Sequence, residues 1–110
     1  MAQILIVEDE ANIRRVLRKI LVDVDNNINV SEAVDGVEAI TMVDEKSYDL
    51  VLCDIKMPKK DGIEVLAHIQ KVSPQSAVVM ISGHGDLETA VKAMRMGAYD
   101  YISKPPDLNH

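Results

Sequence analysis

The chain has 110 residues, of which 47% are hydrophobic and 27% charged, a composition that suits one folded domain and excludes a disordered segment. Its formal net charge of −6 argues against direct binding to nucleic acid, whose phosphates need a basic face. No apolar run is long enough to cross a bilayer, and we expect no secretion signal. The single cysteine, Cys53, cannot form an internal disulfide, so we expect a reducing, cytoplasmic setting.

Short apolar runs alternate with helical stripes along the first half of the chain. Ile4–Val7 is continuous and rich in branched residues, which indicates a buried strand. The apolar residues that follow recur at steps of three and four, the spacing of an amphipathic helix: Ile13, Val16, Leu17, Ile20, Leu21 and Val24. Ile28–Val34 predicts a second strand, and Leu50–Cys53 predicts a third, which ends shortly before Pro58.

Acidic residues mark the starts of the later helices. Asp35 with Glu38, and Asp61 with Glu64, have the spacing of a capping box, and Asp86 is a candidate N-cap. The apolar residues that these helices are predicted to turn inward are Val37, Ile40, Val43, Ile63, Leu66, Ile69, Leu87, Ala90, Val91 and Met94.

Ala77–Ile81 and Tyr99–Ile102 complete the set of predicted strands. Strict alternation of strand and helix predicts an α/β fold, a doubly wound sheet of five parallel strands, because each parallel connection needs a crossover. In such sheets ligands bind beyond the carboxyl ends of the strands. The residues at those ends are therefore the candidates for function.

Four of the five predicted strands lead to polar groups suited to one reaction. These groups are Glu8 and Asp9 after the first strand, Asp54 after the third, Ser82 after the fourth and Lys104 after the fifth. Crowded carboxylates raise one another's pKa unless a cation intervenes, and Mg²⁺ is the natural cation for oxygen ligands alone. An ammonium and a hydroxyl would add a charge and a donor for anionic oxygens, so the pattern predicts a site that holds phosphorus beside magnesium.

Phosphoryl transfer needs little beyond such positioning and charge neutralisation. Asp54 is the better candidate nucleophile because it ends the central strand, with the other groups on either side, and a carboxylate nucleophile gives an aspartyl phosphate. Asp9 and Glu8 would then hold the metal. Taken singly, each acid after the first strand can equally be the N-cap of the next helix, so the prediction depends on the five positions together.

The sequence closely resembles the receiver domains of bacterial response regulators, the switch proteins of two-component systems. The likeness covers nearly the whole chain, and its motifs are Ile4–Glu10, Asp54–Pro58 and Tyr101–Pro105. The segments Gly83–Val91 and Gly97–Tyr101 look most like receivers of the nitrogen-regulation (sigma-54 activator) type, which usually precede a transcription-activating ATPase and a DNA-binding domain. The resemblance implies a flavodoxin-like sheet with strand order 2-1-3-4-5.

The resemblance also implies the roles of the acidic residues. Asp54 would be phosphorylated by a sensor histidine kinase in the presence of Mg²⁺. Asp9, Asp54 and the backbone carbonyl of Lys56 would bind the ion directly, and Glu8 would bind it through water. Apart from its own phosphoryl transfer and dephosphorylation, the domain is expected to catalyse nothing.

In the family, a hydroxyl and an aromatic residue carry the switch. The resemblance implies that Lys104 and Ser82 grip the phosphoryl oxygens, that the Ser82 hydroxyl moves toward the phosphate, and that the Tyr101 ring turns inward. These movements would reshape the face formed by the fourth helix and fifth strand, which controls an effector, in the parent chain or in another protein, that regulates transcription. The peptide bond between Lys104 and Pro105 is expected to be cis.

Receivers normally close with a fifth helix, and this chain stops at Asp107–His110, where that helix should begin. We therefore interpret residues 1–110 as one receiver domain truncated at that point. The uncovered helix site would leave apolar surface beside the first strand and first helix, so we expect a less stable or homodimerising species.

Other functions are weighed against this reading. A metal-dependent phosphatase with an aspartyl nucleophile typically needs a second acid two residues later, where this chain has Lys56. A flavodoxin-like nucleotide binder needs a glycine- or hydroxyl-rich loop after the first strand, but Glu8–Glu10 would repel a phosphate without metal. A degenerate receiver that is never phosphorylated is disfavoured because every reactive position is filled.

Overall fold

Strands and helices alternate through the residues that the computed structural model describes, 1–83 and 85–104. The strands are β1 (Ala2–Val7), β2 (Ile28–Ala33), β3 (Leu50–Asp54), β4 (Ala77–Ser82) and β5 (Asp100–Ser103). The helices are α1 (Ala11–Val24), α2 (Gly36–Glu45), α3 (Gly62–Val72) and α4 (Leu87–Arg95). The predicted cis peptide at Pro105 and the predicted start of a fifth helix lie outside the described residues.

The five strands form one parallel sheet in the order β2-β1-β3-β4-β5. This confirms the predicted α/β fold and its strand order. Because every strand runs the same way, all five carboxyl ends meet at one edge of the sheet, with β3 in the centre. The sheet therefore brings together side chains that lie far apart in the sequence.

Two apolar clusters cover the two faces of the sheet. The larger contains buried residues of α2, α3 and α4 packed on one face, and the smaller contains Ile13 and Leu17 of α1 on the other. Alternate residues of β3 go to opposite clusters, since Leu52 belongs to the smaller and Cys53 to the larger. Cys53 is fully buried and is a free thiol.

The two strands that lead to Asp54 and Ser82, β3 and β4, each extend one residue further than the sequence predicts. Asp54 is still part of β3, where it pairs with Ile81, and Ser82 is still part of β4, where it pairs with Ser103. Ladder hydrogen bonds thus hold the backbone of both candidate site residues. Both side chains start from rigid positions rather than from loops.

The predicted inward face of α1 was too wide. Ile13 and Leu17 are buried, but Val16, Ile20 and Val24 are 36%, 49% and 82% exposed. The helix rests on the sheet along one line of residues four apart, and the described residues place no further helix beside it on that face.

The predicted inward face of α4 was also wrong in part. Its buried residues are Ala90 and Ala93, whereas Leu87, Val91 and Met94 are 63%, 41% and 37% exposed. Alanines let the helix approach the sheet closely, and the larger apolar side chains then lie outside the contact. The result is an apolar surface on α4, at the edge of the domain next to β5.

The predicted capping interactions are present in different degrees. The Asp61 side chain accepts from the Glu64 N–H while the Glu64 side chain accepts from the Asp61 N–H, a complete capping box at α3. At α2 Asp35 accepts from the Glu38 N–H at 2.8 Å, but Glu38 accepts from Val34 instead of Asp35. Both helices begin where the sequence predicts.

Candidate functional site

The structure brings one lysine and two buried acids together at the carboxyl edge of the sheet. Nζ of Lys104 lies 3.2 Å from Oδ2 of Asp54 and 3.5 Å from Oε1 of Glu8. Asp54 is 3% exposed and Glu8 is fully buried. The Lys104 N–H donates to the Ser82 carbonyl at 2.9 Å, so the end of β4 fixes the point from which the lysine side chain reaches back to β3.

Glu8, Asp9 and Asp54 form an acidic cluster. One carboxylate oxygen from each of them lies within 4.8 Å of the others, and Asp9 is exposed while its neighbours are buried. Oε1 of Glu8 is buried and accepts no hydrogen bond from the described residues; its contact with Lys104 is long for one. A set of oxygen donors with an unsatisfied buried oxygen and one open side fits Mg²⁺.

The cluster perturbs the protonation of its members. The pKa of Glu8 is raised to about 8, mainly by burial, with further increases from the hydrogen bond to Asp9 and the charge of Asp54, and the N–H of Glu10 opposes the rise. Burial alone would lower the pKa of Lys104, but the negative charges of Asp54 and Glu8 outweigh it and raise that pKa. The lysine therefore stays cationic, and Glu8 requires a proton or a cation beside it.

Lys56 lies in the loop after β3, two residues beyond Asp54. Its predicted role as a metal ligand concerns its backbone carbonyl, and no contact in the described residues tests that role. Its side chain makes an ion pair instead, with Nζ 2.9 Å from Oδ1 of Asp86. Asp86 is buried and occupies the predicted N-cap position of α4, but its side chain makes no capping bond; Oδ2 accepts from the Gly83 N–H at 2.9 Å.

The two candidate switch residues, Ser82 and Tyr101, make other contacts than the ionic ones of the site. The Ser82 hydroxyl is buried and donates to the Ile102 carbonyl on β5 at 3.4 Å. The Tyr101 ring is partly buried and packs against the larger apolar cluster. The structure thus joins Ser82 to the backbone of β5 and does not place its hydroxyl on the Asp54 carboxylate.

Gly62 is a site residue that the sequence analysis missed. A Cβ at this position would overlap the Asp54 carbonyl oxygen and would lie 2.9 Å from both Ile55 Cα and Met80 Cε. The start of α3 therefore packs directly against the backbone of the candidate nucleophile, and the Gly62 N–H donates to the Ile55 carbonyl at 2.8 Å. The available signal was a glycine at the first position of a helix, where most other residues favour helix formation more strongly.

This fold and this site define a receiver domain. The family model described as the response regulator receiver domain matches residues 4–110, and the chain belongs to that family. Family membership implies phosphorylation-controlled signalling, with Mg²⁺ bound at an acidic pocket, and it favours the switch over the phosphatase and the nucleotide binder.

Several response regulators are similar to this chain in sequence or structure. The NtrX-like response regulator of Rickettsia bellii (strain RML369-C) is 41% identical over 107 residues, which are 96% of this chain and 22% of that protein. The chemotaxis protein CheY of Listeria monocytogenes (serovar 1/2a, strain ATCC BAA-679 / EGD-e) is 40% identical over 105 residues, 96% of this chain and 87% of that protein. A crystal structure of NtrX from Brucella abortus matches with a TM-score of 0.86 and 42% identity, covering 96% of this chain and 24% of that chain.

The likenesses to the NtrX-like protein and to NtrX confirm the predicted resemblance to receivers of the nitrogen-regulation type. The chain spans about a fifth of the length of the NtrX-like relative, 22%. Among the described residues, no helix combines the length and the apolar character needed to cross a membrane.

Proposed function

We propose that this domain is a switch in which Asp54 accepts a phosphoryl group from the phosphohistidine of a sensor kinase. The observation that carries the proposal is the buried Asp54 carboxylate, held 3.2 Å from the Lys104 ammonium and within the acidic cluster that also includes Glu8 and Asp9. A carboxylate in this setting lies next to positive charge and beside the exposed Asp9, which marks the open side of the cluster.

The transfer is a substitution at phosphorus. A carboxylate oxygen of Asp54 forms the new P–O bond as the P–N bond of phosphohistidine breaks, and the departing imidazole keeps the electron pair and takes up a proton. Lys104 neutralises charge on the phosphoryl oxygens throughout the transfer. Mg²⁺, when bound, would supply the remaining charge neutralisation.

The residues that would hold the ion are Asp9, Asp54 and the backbone carbonyl of Lys56, with Glu8 acting through water. Asp9 suits direct coordination because it is the exposed member of the cluster. Glu8 is buried and its pKa is raised. These properties suit a group that helps to bind Mg²⁺ through water and does not face the phosphoryl donor. The domain would catalyse only its own phosphorylation and dephosphorylation.

Ser82 connects the phosphorylation site to the output surface in this proposal. Its hydroxyl is bonded to the Ile102 carbonyl in the present structure, and turning toward a phosphoryl group on Asp54 would break that bond. The carbonyl belongs to β5 beside Tyr101, so the ring would lose one restraint on its strand. Movement of Tyr101 would then reshape the apolar surface of α4, which an effector would read.

The partners that follow are a sensor histidine kinase and an effector. The long NtrX-like relative and the short CheY relative support two arrangements, an effector in the same chain or a separate target protein. The likeness to the NtrX-like relative favours an effector that controls transcription.

A phosphodonor experiment tests the proposal. With Mg²⁺ and a small phosphodonor, the wild-type chain should gain one labile phosphoryl group by intact mass, and beryllofluoride should shift the NMR signals around Asp54. Asp54→Asn should gain none. Asp23→Asn alters an exposed acid whose ion-pair partner among the described residues is Lys19, and it should behave as wild type. Sustained release of inorganic phosphate over many turnovers would instead identify a phosphatase.

A further inference from the structure

Arg14 makes a contact with the acidic site that the phosphorylation chemistry does not use. Its Nη1 donates to the backbone carbonyl of Glu8 at 2.8 Å, and its Nε lies 3.0 Å from Oε1 of Glu32. Its side chain is only 16% exposed, so this is not a solvated surface arginine. The guanidinium joins α1 to β2 and to the residue that follows β1.

Glu32 on β2 fixes the orientation of that guanidinium. Its second oxygen accepts from Nε of Arg18 at 2.6 Å, and Arg18 also donates to the Val30 carbonyl at 3.0 Å. Burial by itself would raise the pKa of Glu32, but the hydrogen bonds and charges of Arg18 and Arg14 lower it below its ordinary value. Glu32 therefore stays ionised and anchors the Arg14 fork.

The Arg14 bond completes the restraint of the Glu8 backbone. The Glu8 N–H donates to the Ala33 carbonyl at 3.1 Å, and Oε2 of Glu8 accepts from the Glu10 N–H at 3.0 Å. At the start of α1, Glu10 occupies the N-cap position and its side chain makes no capping bond. The turn that carries the exposed Asp9 thus depends on bonds to Glu8, and the Arg14 bond is one of them.

We propose that Arg14 is a positioning residue for the metal-binding turn. By tying the Glu8 carbonyl to Glu32, it sets the directions in which the Glu8 and Asp9 carboxylates leave the backbone. The inference rests on the proposed function, since Mg²⁺ is the ligand that those carboxylates would hold. Outer groups that orient metal ligands commonly change metal affinity about 10- to 100-fold when removed.

The sign of the effect separates positioning from simple electrostatics. Electrostatics alone predicts stronger Mg²⁺ binding when a positive charge near the three acids is removed, because that charge repels the ion. Loss of the restraint on Glu8 and Asp9 should weaken it. A weaker site after loss of Arg14 therefore has no electrostatic explanation.

The test is Mg²⁺ affinity of the full chain, measured by isothermal titration calorimetry, for Arg14→Ala and Arg15→Ala. Arg15 is the matched control because it is the next residue of α1, is exposed, and has a long 3.4 Å hydrogen bond to Asn12 as its polar contact with described side chains. We expect Arg14→Ala to bind Mg²⁺ about 10-fold more weakly and Arg15→Ala to equal or slightly exceed wild type. Glu32→Gln, which keeps an acceptor for Arg14, should fall between wild type and Arg14→Ala.

A metal-free readout accompanies the affinities. Amide NMR shifts of Asp9 and Glu10 in chelator should move in Arg14→Ala and stay in place in Arg15→Ala. If Arg14→Ala does not fold, Arg14→Lys and Arg15→Lys replace the alanine pair, because a lysine at 14 keeps the charge but cannot make both contacts of the fork. Equal Mg²⁺ affinities for the variants at Arg14 and Arg15 would overturn the role of Arg14 and leave the proposed function standing. A wild-type chain that binds no Mg²⁺ would overturn both the role of Arg14 and the proposed function.

Discussion

Nζ of Lys56 and Oδ1 of Asp86 lie 2.9 Å apart, although the lysine side chain is 75% exposed and the aspartate side chain 5%. The pair joins the loop that follows the candidate phosphoacceptor to the first turn of α4. The contact is an ion pair without hydrogen-bond geometry, so the Gly83 N–H is the hydrogen-bond donor to Asp86 in this region. A buried carboxylate is thus balanced by a cation that approaches it from solvent.

Lys56→Met should lower the free energy of unfolding on the order of 1 kcal/mol. The substitution keeps the bulk of the side chain, and among the contacts of the described residues it leaves the buried Asp86 with one hydrogen bond and no counter-charge. Urea unfolding followed by circular dichroism measures the change. Lys60→Met is the control, because its ion pair with Glu64 is long, at 3.5 Å, and half-exposed on both sides, and it should cost less than about 0.5 kcal/mol. Equal losses in the two variants would contradict the role assigned to Asp86.

The raised pKa of Glu8 predicts a pH-dependent stability. This carboxyl has a pKa of about 8 in the folded chain against an ordinary value of 4.5, so the folded state keeps a proton that the unfolded state releases. Its contribution to stability should therefore fall as pH rises from about 4.5 to about 8. Urea unfolding in chelator across this range should show the fall in wild type and its loss in Glu8→Gln.

The same group links pH to metal binding. Because Mg²⁺ competes with the proton at the acidic cluster, apparent Mg²⁺ affinity of wild type should rise as pH passes through about 8. Glu45→Gln, at the exposed end of α2, should retain both pH dependences. Parallel stability curves for wild type and Glu8→Gln would refute the prediction.

Gly62→Ala should damage both the fold and the site. The new methyl group would overlap the Asp54 carbonyl oxygen, so the end of β3 or the start of α3 must move, and overpacking of this kind costs about 1–3 kcal/mol. Phosphorylation of Asp54 should fall with it, measured by intact mass under standard donor conditions. Gly83→Ala is the matched control beside Ser82, because the nearest atom to its Cβ, Oδ2 of Asp86, is at 3.4 Å, an ordinary contact. A stable, fully phosphorylated Gly62→Ala chain would show that the close approach is not needed.

At Lys59, glycine should stabilise the fold more than alanine, the reverse of the usual order. Its φ is 68°, a left-handed conformation that costs a residue with a Cβ about 1–2 kcal/mol. Both Lys59→Gly and Lys59→Ala lose the 3.3 Å ion pair with Asp35, so that loss cancels in the comparison. The glycine variant should be more stable than the alanine variant by about 1 kcal/mol. Lys60 is the control, and there the alanine variant should be at least as stable as the glycine variant. The free energies of unfolding of the four variants, measured in urea, test this prediction.

Much of this domain follows from its linear pattern. The alternation of apolar runs with helical stripes predicted a parallel α/β sheet, and the polar residues after the runs predicted a shared edge, because parallel strands must end together. Those two regularities were sufficient to name Glu8, Asp9, Asp54, Ser82 and Lys104 before their distances were known. The capping box at Asp61 was equally readable, since it depends on residues three apart.

The tertiary structure alone decided which groups touch. Helical periodicity marked six apolar residues on α1, but only contact with the sheet shows that Val16, Ile20 and Val24 stay exposed. The Ser82 hydroxyl donates a hydrogen bond to the Ile102 carbonyl because β5 pairs with β4 in the sheet. Local sequence patterns do not predict this contact.

The sequence by itself determined the chemistry of the edge, because side-chain types and strand order fix which groups can meet there. Only the folded chain decided how that edge is supported: Arg14 reaches the Glu8 carbonyl, Gly62 admits α3 against Asp54, and Lys56 pairs with Asp86. Each of these depends on distances between elements that are separate in sequence. Such distances are determined by packing, and they cannot be predicted from the periodicity or the composition of the sequence.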